Sequence, residues 1–173
     1  MDRKVNFIIE ELDDTALSYG PRRAIKEVLT QLIRNAVYHG IESPEERVSQ
    51  GKTPEGEIRL SIKCKKGQII IKISDDGDGI DFNRIRQIAT ASNLPFNQER
   101  ANDRNYLINM IFAPGFSTLG EADLHAGRGI GLSLVRERVR SLNGVIAVTT
   151  AKRKGTSFTI SIPMDIAAEE HAS

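Results

Sequence analysis

Tryptophan is absent, aromatic residues make up only 5% of the chain, and Cys64 is the single cysteine. With so few rings, no platform for stacking nucleic-acid bases is expected. Charge of one sign is also missing: 24 Lys and Arg are interleaved with 23 Asp and Glu, for a net +1. No broad basic field draws a polyanion, so nucleic acid is not an expected partner. One cysteine excludes an intramolecular disulfide and a cysteine-rich zinc site, and it fits a reducing compartment. Nothing approaches the roughly 18 apolar residues of a membrane span, and no signal peptide is visible at Met1. The expectation is a cytoplasmic protein with no direct membrane insertion.

What is present suffices for one domain with a substantial core, in 173 residues. Its expected extent is 1–164, followed by a disordered Ala/Glu-rich tail, 165–173. Val5 to Leu12 reads as a first strand, with Val5, Phe7 and Ile9 alternating with Asn6, Ile8 and Glu10. After Pro21, residues Ile25, Val28, Leu29, Leu32, Ile33, Ala36 and Val37 recur at helical spacing. Ser43-Pro44-Glu45-Glu46 is a capping box opening a short helix that stops at Gly51. Glu57 to Cys64 and Gln68 to Ser74 form a hairpin around Lys65-Lys66-Gly67, and Cys64 reads as a small core residue. Asp81 caps a helix to about Ser92, and a further helix ends before Pro114. Leu132 to Leu142 is a helix closed by Asn143-Gly144. Val145 to Thr150 and Thr156 to Pro163 finish the fold as two strands.

Four stretches carry candidate chemistry. Gln31, Asn35, Tyr38 and His39 cluster beside the apolar stripe of the first long helix, where Asn35 is a poor helix former. A solvated helix rim has the same composition. Asp75-Asp76-Gly77-Asp78-Gly79 follows an isoleucine-rich strand and suits a planar ligand that offers an amine, such as adenine. Asp-Gly pairs are ordinary turn chemistry too, so that stretch alone supports either reading. Phe112-Ala113-Pro114-Gly115-Phe116-Ser117-Thr118 sets two aromatics around a Pro-Gly pivot and reads as a lid or an irregular surface loop. Gly127-Arg128-Gly129-Ile130-Gly131 opens a helix, where exposed N–H groups attract anions. Two look-alikes fail. Gly51-Lys52-Thr53 mimics a P-loop end, but Glu46 stands where glycine is required and Pro54 follows. A calcium loop from Asp76 fails because Ile80 and Gln87 fall on ligand positions.

In this order the four stretches resemble the ATP-binding catalytic domain of histidine kinases, within the superfamily shared with gyrase, Hsp90 and MutL. The closer resemblance is to the CheA type. Arg34 to Arg47 resembles its N box and the segment after it, and Ile111 to Thr118 its F box. Gly127 to Gly131 resembles the second glycine box, and Gly155-Thr156-Ser157-Phe158 the start of the last strand. The resemblance implies the Bergerat fold, an α+β two-layer sandwich with a mixed sheet and helices on one face. Single-faced alternation of the hairpin strands points the same way. The cofactors implied are ATP and Mg²⁺. Asp75 would hold the adenine amine, with Gly77 and Gly79 at the base pocket and Thr156 nearby. Asn35 would ligate Mg²⁺, with His39 near the phosphates and Gln31 beside them in the catalytic helix. Ser117 and Thr118 would belong to the lid, and Gly127, Arg128, Gly129 and Gly131 would wrap the triphosphate.

The chain departs from the CheA pattern at Gln31, where His is usual, at Tyr38, usually Asp, and at Ala126, usually Ser. Gln31 also stands where the related hydrolases carry a general-base glutamate, and an amide takes no proton from water. The expected function is transfer of the γ-phosphoryl of ATP to a histidine on a separate domain or protein, in chemotaxis-type signalling. The alternative is a nucleotide-binding regulatory module that transfers nothing. His39, His125 and His171 are the only histidines, and none sits on a helix suited to be the acceptor. Expected partners are therefore a histidine phosphotransfer domain, a downstream response regulator, and coupling or receptor proteins.

Overall fold

Ile58, Leu60 and Ile62 are buried while Arg59 between them is exposed, and Ile69, Ile71 and Ile73 repeat the pattern around exposed Lys72. Period-two alternation of this kind puts one apolar face on a core and leaves the other to solvent. The computed structural model describes residues 3–14, 21–91, 94–116 and 131–164. It contains five strands: β1 (Val5–Leu12), β2 (Gly56–Lys65), β3 (Gln68–Asp75), β4 (Val145–Ala151) and β5 (Gly155–Pro163). Their order in the sheet is β1-β2-β3-β5-β4, with β1 parallel to β2 and every other pair antiparallel. The fold is α+β with a mixed sheet, as the hairpin pattern implied.

The chain divides into two compact units, 1–80 with 138–173, and 81–137. In the first, helix α1 (Arg22–Asn35) lies against β3 and buries Ala24, Ile25, Val28 and Leu32. That stripe and the sheet's isoleucines, with Phe158, Ile160 and Ile162 of β5, are the core of this unit. Pro21 stands at the N-cap of α1. Helix α2 (Pro44–Ser49) opens with the full capping box: Glu46 N–H donates to Ser43 Oγ at 3.2 Å, and Ser43 N–H donates to Glu46 Oε2 at 3.0 Å. Cys64 is half-buried, and burial first, then the charge of Asp13, pushes its thiol pKa up. The alternation of β1 does not make a core face: Phe7 and Ile9 are 43% and 56% exposed. β1 is an edge strand with a register shift between Ile9 and Glu11; Val5 and Ile8 are half-buried, while Phe7, Ile9 and Leu12 stay exposed.

In the second unit, α3 (Phe82–Ala91) and α4 (Arg104–Met110) pack through buried Ile85, Ala89 and Leu107. Asp81 caps α3 and Asp103 caps α4 through their carboxylates. The Pro114-Gly115 turn is flanked by Phe112 and Phe116, both buried. Arg136 of α5 (Leu132–Ser141) donates to the Phe112 carbonyl at 2.8 Å and lies 5.2 Å from its ring centroid. Downstream of α5, Asn143 takes the left-handed conformation at φ 49°, one residue before the glycine of the expected stop. The lid beyond Phe116, the glycine box through Ile130 and the tail 165–173 lie outside the described residues.

Candidate functional site

Asp75 is the last residue of β3, paired with Ile58 across the sheet. Its Oδ1 accepts from the Gly77 N–H at 3.0 Å and the Thr156 N–H at 3.3 Å. Its Oδ2 has no hydrogen-bond partner among the described residues. The carboxyl group faces Gly40, where a side-chain carbon would stand 3.1 Å from it. Gly77 closes the cradle: a Cβ there would sit 1.9 Å from the Gly40 carbonyl oxygen, so only glycine lets the two backbones meet. Gly79 is needed for a second reason, its φ of 80°. Loss of water around Asp75 raises its pKa to about 6, against the pull of the two N–H bonds and helped by the charges of Asp76 and Glu42. A carboxylate with one open acceptor atom in a poorly hydrated cradle binds an N–H donor strongly.

The segment that supplies Gly40 is the end of the asparagine helix. α1 widens after Asn35 into a π-helical turn, Ala36–Gly40. Such turns concentrate at functional sites, and helical periodicity alone does not reveal them. Gln31 Nε2 donates to Asn35 Oδ1 at 3.3 Å, so one face of α1 orients the Asn35 amide with its oxygen as an acceptor. Both side chains are half-buried, while His39 and Tyr38 in the π turn are exposed. The structure thus brings Asp75, Gly77, Gly79 and Thr156 together with the chain of α1 that carries Gln31, Asn35 and His39. Thr156 is buried, and its hydroxyl lies 3.3 Å from that of Thr150, which accepts from the Ile80 N–H at 2.9 Å. Gly131 opens α5 in the second unit. Ser117, Thr118, Gly127, Arg128 and Gly129 fall outside the described residues.

Sequence reasoning missed an ionic cluster behind Asp75. Arg47, 1% exposed, forks onto Asp76 at 3.1 and 2.7 Å and reaches Glu42 at 3.1 Å and the Thr53 carbonyl at 2.8 Å. Burial works against its charge, and the bonds and charges of Asp76 and Glu42 outweigh that and raise its pKa. Lys52 Nζ donates to Glu42 Oε1 at 2.6 Å and to the carbonyls of Asp76 and Gly77 at 2.8 and 2.9 Å. Adjacent acids at 75 and 76, at the end of a strand, were the available signal. A concavity of about 410 Å³ is lined by Asp75, Asp76 and Thr156 together with Glu57, Arg59 and Lys154, among others. The Asp75 carboxyl lies against Gly40.

A mixed sheet whose third strand ends on a desolvated carboxylate, faced by an asparagine-bearing helix, defines a class of nucleotide-binding domain. The chain belongs to the family described as histidine kinase-, DNA gyrase B- and HSP90-like ATPase, which matches residues 20–166. It is 38% identical to the chemotaxis protein CheA of Rhizobium meliloti (strain 1021), over 92% of this chain and 21% of that protein. It is 36% identical to CheA of Halobacterium salinarum, over 96% of this chain and 25% of that one. The chain therefore spans about a fifth to a quarter of these relatives. The fold is shared with the catalytic domain of the histidine kinase ThkA, at TM-score 0.53 and 21% identity over 92% of this chain and 79% of that one. It is shared too with the histidine kinase domain of the blue-light activated kinase of Erythrobacter litoralis EL346, at TM-score 0.51 and 19% identity, over 96% of this chain and 54% of that one.

Proposed function

We propose that this chain is the ATP-binding catalytic domain of a CheA-like histidine kinase, spanning 1–164, that passes the γ-phosphoryl of ATP to a histidine outside itself. The observation that carries this reading is the half-buried Asp75 carboxylate: one oxygen tied to two backbone N–H groups, the other without a partner among the described residues, and its pKa raised first by loss of water. It accepts from the exocyclic amine of adenine, with Gly77 and Gly79 letting the backbone pass close to the base and Thr156 beside it. Asn35 offers its amide oxygen to Mg²⁺, which commonly takes one or two protein oxygens and completes its shell with phosphates and water. Among the described residues no cluster of acids, histidines or cysteines competes for that ion. Gln31 orients the Asn35 amide and takes no proton from water, which favours transfer over hydrolysis.

ATP supplies the phosphoryl group. Its γ-phosphorus parts from the bridging oxygen, a phosphorus–nitrogen bond forms to the acceptor imidazole, and ADP leaves with the electrons of the broken bond. The work of this chain is positioning, with His39 beside the phosphates. Gly131 and the preceding glycine-rich residues 127–129 offer N–H groups to the triphosphate. The acceptor is a histidine phosphotransfer domain, with a response regulator downstream and coupling or receptor proteins upstream, all in the cytoplasm. The experiment is calorimetric titration of ATP and GTP into the wild type and Asp75→Asn. The substitution is expected to weaken ATP by roughly 10–100-fold, from the loss of a charge-assisted hydrogen bond. GTP binds poorly to the wild type, because a guanine carbonyl meets the carboxylate. Equal wild-type affinity for ATP and GTP excludes the adenine role.

A further inference from the structure

The ionic cluster behind Asp75 contains one peptide group held at both ends. The carbonyl of Asp76 accepts from Lys52 Nζ at 2.8 Å, and the N–H of the same peptide, that of Gly77, donates to Asp75 Oδ1 at 3.0 Å. The next carbonyl, Gly77, also accepts from Lys52, at 2.9 Å. With Glu42 Oε1 at 2.6 Å, all three ammonium protons of Lys52 have acceptors. The Lys52 side chain is 16% exposed, so this charge works under little solvent screening. Arg47 grips the Asp76 carboxylate, and Asp76 Oδ1 accepts from the Glu57 N–H at 2.9 Å, which ties the same turn to β2. The cluster pairs two acids, Glu42 and Asp76, with two cations, Arg47 and Lys52.

We propose that Lys52 is a positioning residue for base recognition: it clamps and polarises the Asp76–Gly77 peptide, so that the peptide N–H fixes Asp75 with Oδ2 turned out to the base. A cation on the carbonyl oxygen strengthens the N–H at the other end of the amide, because hydrogen bonds in a chain polarise one another. Lys52 acts only through Asp75 and touches no nucleotide. It is therefore a determinant of adenine preference supplied by the loop after α2. This rests on the adenine reading of Asp75 given above.

The test is a double-mutant cycle by calorimetric titration of ATP and GTP on the full 173-residue chain, with wild type, Lys52→Met, Asp75→Asn and the double variant. Lys52→Met is expected to weaken ATP by roughly 10–100-fold, the range of one hydrogen bond to a charged group, and to leave GTP nearly unchanged. In the Asp75→Asn background the same change is expected to cost less than about 2-fold, because its target is already disabled. Lys52→Arg restores part of the ATP preference. Thermal unfolding is run alongside, and Lys52→Gln, which keeps a donor and removes the charge, replaces Lys52→Met if that variant does not melt cooperatively. A general loss of structure lowers ATP and GTP binding alike. An equal factor from the Lys52 change in both backgrounds, or no loss of ATP affinity, overturns the proposal and leaves the adenine reading standing. A silent Asp75→Asn removes that reading and, with it, any role for Lys52 in base recognition.

Discussion

At Asp75 the demands of binding and of folding conflict. Its folded pKa of about 6 lies above the ordinary 3.8. Between those values the folded state holds the proton that the unfolded chain has released, so stability falls as pH rises through that window and levels off above about 6. The shift of about two units corresponds to about 3 kcal/mol at neutral pH. Asp75→Asn keeps an oxygen for the Gly77 and Thr156 N–H groups and removes the charge. It is therefore expected to stabilise the empty protein by about 1–3 kcal/mol at pH 7, seen as a raised melting temperature, and to make no such difference near pH 4. Binding has the opposite sign, because only the carboxylate accepts from the amine. Wild-type affinity for adenine nucleotides is expected to fall below about pH 6, and titrations of Asp75→Asn should lack that component. The charged groups around the site, Asp76, Glu42, Arg47 and Lys52, belong to the same balance. Gly77→Ala is expected to cost more than the usual 1–3 kcal/mol of overpacking, since its Cβ meets backbone at 1.9 Å. A melting temperature within a degree or two of wild type would contradict the close approach of Gly40.

Among the elements, the two helices around the site illustrate what a sequence discloses. The capping box of α2 was legible because its two hydrogen bonds are local, between Ser43 and Glu46. Ser43→Ala is expected to cost about 0.5–2 kcal/mol in chemical denaturation, with an unchanged denaturant slope. The hydrogen bonds to Ser43 hold the Glu46 pKa below its ordinary value, so the cap's contribution is present above that value and lost as pH falls through the lowered one. The hairpin β2–β3, the cap at Asp81 and the stripe of α1 are local in the same sense. The π turn after Asn35 was not legible, because its extra residue per turn is set by contacts of Gly40 with Gly77 and Asp78, far along the chain. The Arg47 cluster was hidden for the same reason: Asp76 is 29 positions away. β1 was legible over Val5–Leu12, although alternation marks a strand and does not say whether anything covers its apolar side. Asn35→Ala is expected to leave α1 folded and to remove the Mg²⁺-dependent part of ATP affinity, read by titration with and without the metal.

For the whole molecule, a nucleotide cradle stands beside one described histidine, while His125 and His171 lie outside the described residues. His39 lies in the exposed π turn, beside the backbone that meets Asp75, and so does not belong to a separate acceptor helix. The family and fold follow from the match over residues 20–166 and the five-stranded mixed sheet. Transfer to a histidine in trans is the central claim, and one measurement bears on it most directly. ATP labelled at the γ-phosphate is incubated with this chain, Mg²⁺ and a separate histidine phosphotransfer domain of a CheA-type kinase. Label is expected on that domain, acid-labile and base-stable as a phosphoramidate is, only when the chain and Mg²⁺ are both present, and absent with Asn35→Ala. ATP bound at Asp75 with no label on the acceptor at any ratio of the two proteins would contradict the account, and would identify the chain as a nucleotide-binding module that transfers nothing.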